Sequence, residues 1–341
     1  SSGTTILTNV LQRRRRSLDG DWNVIVDPYE LGYVGILGGR NDRGFFRDHK
    51  PRHSADRVEY DFDRSPTLTV PGDWNTQDER LFYYEGTVWS RRTIDVSTDQ
   101  WTDARQFLHI GAANHTSRVF VVGVELAVHQ GGFGPYAVEL TGRLEPGQHS
   151  IVIQVDSRRE PDRVPAMRSD WWNFGGITRS VDIVDVPETF LREAWLTMDP
   201  TGRVVGGVAV DGATDQPVTL ELRGLGVSTQ VDADSDGRFE LDLDPERWHP
   251  GRPVLHDVVW RCGDDELTDS VGFRTVEIDG TDIVVNGEQT FLHGISIHAE
   301  APSGGRRAHG PDDADTLLGW AVDLGANFVR LAHYQHDEHM V

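Results

Sequence analysis

Eight side chains near one end of the sequence can bind a ligand or move a proton: His298, Glu300, His309, His333, His336, Asp337, Glu338 and His339. A zinc hydrolase would carry His-Glu-x-x-His on one helix, and that string is absent, so no metal is assigned. Instead His298 follows one apolar run, "TFLHGISI", and His333 follows a second, "NFVRL". If those runs are parallel strands of a barrel, both imidazoles reach the same C-terminal rim, where barrel enzymes keep their chemistry. The plainer reading is polar residues capping strand ends. A second group, "SDWWNFGGITRSV" (169–181), sets Asp170, Trp171, Trp172, Asn173 and Phe174 ahead of a Gly-Gly pair. Aromatic faces take the apolar face of a sugar ring, and a carboxylate and an amide take its hydroxyls. The same aromatics serve equally well as core. A third, "VDADSDGRFELDL" (231–243), imitates a calcium loop at Asp232, Asp234, Asp236 and Gly237 but has Leu243 where a bidentate Glu belongs. It reads as a tight turn between strands.

Three blocks must position these groups. From Ser17 to about Pro187, segments such as "DWNVIVD", "RVEYDFD", "VWSRRTIDV", "RQFLHIG", "RVFVVG", "YAVELT", "HSIVIQVD" and "RSVDIVDV" alternate or are β-branched, with turn clusters between them. Eight or more strands with few helices predict a jelly-roll β-sandwich. From Thr189 to about Arg274, "REAWLTMD", "RVVGGVAV", "VTLELRG", "RFELDLD", "VLHDVVWRC" and "ELTDSVGFR" have the rhythm of an immunoglobulin-like β-sandwich lacking its disulfide. From Val276 the pattern becomes strand, helix, strand. "TFLHGISI" and "NFVRL" read as strands buried on both faces. Between them "GPDDADTLLGWAVDLGA" predicts a helix with Pro311 at its start, Leu317, Trp320, Ala321 and Leu324 on one face, and Gly325 at its end. The expected domains are 1–188, 189–275 and 276–341.

The formal charge is −22, from 55 acidic and 33 basic side chains, and Lys50 is the one lysine. Such a surface repels nucleic acid and anionic membranes, so neither is an expected partner. No run of eighteen apolar residues is present. The Arg13–Arg16 run is not followed by the apolar stretch of a signal and reads as a solvated arm before the first strand. With Cys262 alone, no intrachain disulfide can form, which fits a reducing compartment, and a salt-adapted cytoplasm is expected.

Taken in order, "SLDGDWNVIVDP", "VPGDWN", "YYEGTVWSRRTIDV", "HQGGFGPYAVELT", "DWWNFGGITRSV", "VNGEQTFLHGISIHAE" and "LGANFVRLAHYQHDE" resemble glycoside hydrolase family 2, the β-galactosidase and β-glucuronidase group. The resemblance runs through nearly the whole chain. It implies a mainly β fold: a jelly-roll β-sandwich, then an immunoglobulin-like β-sandwich, then the first strands of a truncated (β/α)8 barrel. It also implies four sugar-binding residues. Asp170 would hold a hydroxyl, His298 would follow barrel strand 1, Arg330 would hydrogen-bond the nucleophile, and His333 would bind the sugar. Two positions depart from many members: Ile297-His298-Ala299 replaces Arg-His-Glu, and His333-Tyr334-Gln335 replaces His-Tyr-Pro.

The family's retaining chemistry uses two glutamates on later barrel strands, one of them in an Asn-Glu pair. No Asn-Glu pair occurs here, and Glu300 and Glu338 do not stand in for it. The expectation is therefore the N-terminal part of an exo-β-glycosidase for terminal β-galactosides or β-glucuronides, inactive alone and needing no cofactor. Its partner would be a β-linked sugar, and family habit makes a homo-oligomer a candidate assembly. The alternative is a non-catalytic carbohydrate-binding or assembly protein of two β-sandwiches. Salt adaptation has its own test. Because salt screens the repulsion among excess carboxylates, the melting temperature should rise from low to molar KCl, and equal stability at both removes the idea.

Overall fold

In the computed structural model, which describes residues 3–32, 53–55, 60–98, 104–213 and 216–341, the parity of each strand residue decides which layer it joins. The fold is mainly β. Its first unit has a six-stranded sheet in the order Thr67–Val70, Gly20–Val26, Thr87–Val96, Gly147–Asp156, Thr116–Val121, Val124–Gln130. A five-stranded sheet runs Thr4–Thr5, Tyr136–Glu139, Arg105–Ile110, Val181–Val186, Arg15–Ser17. Val88, Ile94 and Val96 of one sheet meet Leu108, Ile110 and Ile183 of the other in a shared core. The residues next to them in sequence face away, because strand side chains alternate. Trp89 packs with Ile25, Phe62, Phe120 and Val152 in an outer cluster, and Phe107 packs with Val184, Val186 and Phe190 in another. Both sheets are thus covered on two faces over their centres.

The second unit pairs a three-stranded sheet (Phe190–Met198, Val204–Asp211, Arg238–Leu241) with a four-stranded one (Val227–Gln230, Val218–Leu222, His256–Cys262, Asp265–Val271). Leu191, Leu196 and Val204 meet Leu220, Val258, Trp260 and Leu267 in one core. Val227–Gln230 in this unit, like Thr67–Val70 and Val124–Gln130 in the first, is a strand that alternation did not single out; its residues are only half-buried or exposed. Cys262 is buried and unpaired. Asp234 closes the 231–243 turn by accepting from the backbone N–H groups of Asp236 and Arg238 at 2.9 Å each.

The last block opens with a meander, Val276–Asp279, Asp282–Val285 and Glu288–Gln289, where the pattern had suggested no hairpin. Gly294–Ile297 then pairs in parallel with Phe328–Leu331, Ile295 opposite Val329 and Ile297 opposite Leu331. The helix Gly310–Asp323 connects them, with Pro311 in its first turn and Gly325 just beyond it at φ 73°. Asp313 accepts from the N-cap backbone N–H of His309 at 2.9 Å and takes a bidentate bond from Arg306. Among the described residues no helix is long and apolar enough to cross a membrane.

Four expectations need correction. The strand over "TFLHGISI" shrinks to Gly294–Ile297 and is not buried on both faces; Phe291 is 82% exposed and only Ile297 of the strand is buried. A two-stranded pair with one helix offers too little cover, and Phe328–Leu331 is likewise only half-buried to exposed. On the helix Ala321 is buried, but Trp320 and Leu324 stay 50% and 71% exposed. The arginine run is no solvated arm: Arg15–Ser17 pairs with Val181–Val186, and Arg13 is buried against Asp265 of the second unit, Nη1 to Oδ2 3.5 Å. In "RVEYDFD", residues 57–59 lie outside the described residues. The rest is a single 3-10 turn, Phe62–Arg64, capped by Asp61 because Phe62 must turn into the outer cluster.

His109, buried in Arg105–Ile110, has no hydrogen-bond partner for Nδ1 among the described residues. Burial and the nearby Arg15 hold its pKa down to about 4. The unfolded chain takes up this proton near pH 6.5 and the folded chain only near pH 4, so acid favours unfolding across that window. Denaturant titrations at pH 7 and pH 4.5 should show His109→Gln losing about 2–3 kcal/mol less than the parent over that interval.

Candidate functional site

Two Asn side chains fix the loop that carries Asp170. Asn173 donates through Nδ2 to the Ser157 carbonyl at 2.7 Å. Asn75 accepts the Gly175 N–H through Oδ1 at 2.8 Å and donates through Nδ2 to the carbonyls of Leu81, Phe82 and Tyr84. The Gly-Gly pair is needed for this seat. A Cβ on Gly175 would fall 2.2 Å from the Trp74 ring, and Gly176 sits at φ 134°, a conformation that suits glycine. Asp170 itself is exposed and has no hydrogen-bond or ion-pair partner among the described residues. It lines a cleft of about 480 Å³ together with Trp171, Trp172 and the 82–85 turn.

Trp171 joins this loop to the parallel strand pair. Its ring centroid lies 5.7 Å from His298, 5.3 Å from His333 and 6.0 Å from Tyr334. The two imidazoles are 5.2 Å apart, edge to face. This follows from the parallel register, since His298 comes directly after Gly294–Ile297 and His333 two residues after Phe328–Leu331. The structure therefore brings His298 and His333 together, with Arg330 beside them.

A hydrogen bond sets the tautomer of one ring. Arg330 Nη2 lies 2.9 Å from His333 Nδ1; a guanidinium has no acceptor, so Nδ1 accepts and the neutral ring carries its proton on Nε2. The Tyr334 hydroxyl accepts from the Ala299 backbone N–H at 3.2 Å and lies 3.3 Å from His298 Nδ1. Either atom can donate in that contact, since a hydroxyl oxygen accepts twice, so it holds the His298 ring in place. The Trp171 indole N–H is buried without a hydrogen-bond partner among the described residues. The site thus groups two imidazoles, the Arg330 guanidinium and the Trp171 ring, with the Asp170 carboxylate in the cleft that Trp171 also lines, a set suited to a polyhydroxylated ring.

A buried scaffold lies behind it. Tyr334 stacks on Phe133 with centroids 3.9 Å apart, and the buried Arg307 guanidinium sits 4.2 Å from the Phe133 ring and 4.8 Å from the Tyr334 ring. Burial pushes the Arg307 pKa down to about 10, which leaves it charged at neutral pH. Its backbone N–H donates to Asp73 at 3.0 Å. Arg179, also held below its ordinary pKa by burial, donates to the carbonyls of Phe133 and Gln335. Asp337 lies 3.8 Å from Arg179. Burial alone would raise the Asp337 carboxyl, but the His339 side-chain and backbone bonds and the Arg179 charge hold it low.

Sequence reasoning missed Phe133, Arg179, Arg307 and the role of Tyr334. Arg179 and Tyr334 stand inside segments already singled out, but nothing in their spacing announces a partner 156 or more residues away. His309, His336 and His339 serve the local frame: His309 stands at the helix N-cap and donates its backbone N–H to Asp313, His336 bonds the Ala332 carbonyl, and His339 bonds Asp337.

A family model described as "Glycosyl hydrolases family 2, sugar binding domain" matches residues 16–187. A β-glucuronidase of Paenibacillus borealis is 27% identical over 98% of this chain and 57% of its own length. A β-galactosidase of Thermoanaerobacter pseudethanolicus is 26% identical over 83% of this chain and 42% of its own. The crystal structure of Ruminococcus gnavus β-glucuronidase superposes with a TM-score of 0.79 at 21% identity, covering 96% of this chain and 56% of that one. The chain thus spans about half the length of the relatives it matches.

If the Phe133–Arg307–Tyr334 stack holds the last block in place, Tyr334→Ala should loosen that block first. Hydrogen exchange should show protection in 294–341 falling by roughly 2–3 kcal/mol while strand 147–156 stays unchanged. A uniform change across the chain contradicts a local role.

Proposed function

Because the chain belongs to glycosyl hydrolase family 2, we propose that it forms the N-terminal part of a retaining exo-β-glycosidase for terminal β-galactosides or β-glucuronides. The domains of that enzyme present here would be a jelly-roll sandwich (1–188), an immunoglobulin-like sandwich (189–275) and the opening of a (β/α)8 barrel (276–341). The two double-sheet cores and the parallel strand–helix–strand support that division. The observation that carries the functional reading is the meeting of Trp171, from the first unit, with His298 and His333 at the end of the parallel strands.

In this reading the terminal sugar lies against Trp171, its hydroxyls bonded to Asp170 and to the imidazoles of His298 and His333. Arg330 fixes the His333 tautomer and adds positive charge beside the place where a nucleophilic carboxylate would stand. Retention needs two carboxyl groups about 5–5.5 Å apart, and this chain is not assigned either of them. Glu338 opens a 3-10 turn beyond the second strand, and burial holds its carboxyl above the usual range.

Incubated alone with chromogenic β-galactosides and β-glucuronides, the 341-residue chain should show no turnover above a heat-killed control; turnover overturns the assignment. Within a longer chain supplying the carboxylate pair, one of the two substrates should be hydrolysed. Asp170→Asn or His333→Ala should then lower kcat/KM by about 10- to 100-fold, the range of one hydrogen bond to a charged or polarised group. Sugar binding without turnover in that longer chain would favour a non-catalytic carbohydrate-binding protein.

A further inference from the structure

Beside Asp170 and Trp171, in the same cleft, lies an aromatic surface that the proposed terminal-sugar contacts do not use. Tyr83 is 82% exposed, and Phe82 and Trp172 pack around it with centroid distances of 4.8 Å (Phe82–Tyr83), 4.9 Å (Phe82–Trp172) and 5.7 Å (Tyr83–Trp172). All three rings line the cleft of about 480 Å³ that also holds Asp170 and Trp171. Its volume falls in the range of small-ligand sites, about 300–1,000 Å³.

The walls are prearranged. The buried Asn75 ties both of them, accepting from Gly175 beside the Trp172 loop and donating to the carbonyls on either side of Tyr83. Trp74 Nε1 adds a bond to the Tyr84 carbonyl at 3.2 Å. A ligand therefore need not order the turn in order to bind, which removes part of the entropic cost of association. The rim is polar but nearly neutral: Glu85 and Arg159 form an ion pair at 2.6 Å, and Asp170 has no partner among the described residues. Exposed ring faces edged by hydroxyl-binding groups suit a pyranose ring. A wholly apolar guest would leave the polar rim unmatched.

We propose that this cleft is a second sugar subsite, taking the residue next to the terminal one in a β-linked oligosaccharide, with Tyr83 and Trp172 as its stacking platform. The inference rests on the terminal-sugar site proposed above, because Trp171 and Asp170 border both.

The test is calorimetric titration of the 341-residue chain with lactose and β-1,4-galactobiose, against galactose, glucose and glucuronate. The disaccharides should bind at least about fivefold more tightly than the monosaccharides. Tyr83→Ala and Trp172→Ala should each remove about five- to tenfold of disaccharide affinity and leave monosaccharide affinity unchanged, while Tyr83→Phe retains the parent value. Circular dichroism and melting curves confirm that each variant is folded. Equal affinity for mono- and disaccharides, or a difference that survives both alanine variants, overturns the subsite. Binding of aryl glycosides without binding of disaccharides overturns the assignment to a sugar. Asp170→Asn separates the two readings. It should weaken both ligand classes, and unchanged affinity alongside an effect of Tyr83→Ala would remove the terminal-sugar assignment and keep the platform. No binding of any sugar removes both.

Discussion

A guanidinium packed against a stacked pair of aromatic rings fixes where the chemistry sits. Arg307 lies over Phe133 of the first unit and over Tyr334 of the last block, and those rings also stack on each other. A buried cation is costly unless its surroundings replace water. Ring faces supply part of that replacement, roughly 2 kcal/mol or more when the pair is desolvated. The arrangement can exist only if the first unit and the parallel strands are docked. Tyr334 in turn bonds the His298 ring, so the interdomain packing and the orientation of a site residue are one constraint.

The same logic recurs at the other junction. Arg13 crosses from the first unit to Asp265 of the second, and Asp265 also accepts the Leu191 backbone N–H at 2.8 Å. Removing either partner would strand a buried charge, so such contacts resist sliding of one unit over the other. A rigid frame serves the proposed sugar site because a prearranged site loses less entropy on binding. Asn75, Asn173 and the Gly175–Gly176 seat give the Asp170–Trp172 loop that rigidity.

Much of this was legible in the sequence because it follows from local periodicity. Alternation located most strands of both double-sheet units, and Pro311 and Gly325 bracketed the helix. The apolar runs before His298 and His333 placed both rings at one strand end. The departures have a common cause: burial depends on what lies opposite. "TFLHGISI" is apolar enough for a strand covered on both faces, yet one helix and one partner strand leave Phe291 in solvent. The arginine run looks like a solvated tail by composition, and only the distant Asp265 makes Arg13 a core residue. Phe133, Arg179 and Arg307 are hidden for the same reason, since long-range pairing leaves no local pattern.

The account stands or falls on Trp171, His298 and His333 forming one ligand site contributed by two separate parts of the chain. The most direct measurement follows the Trp171 indole N–H and the two imidazole resonances by NMR while a galactose- or glucuronate-derived lactone is added. The account predicts that all three signals shift together, with a single dissociation constant. Shifts confined to Trp171, or to the histidines alone, would contradict it.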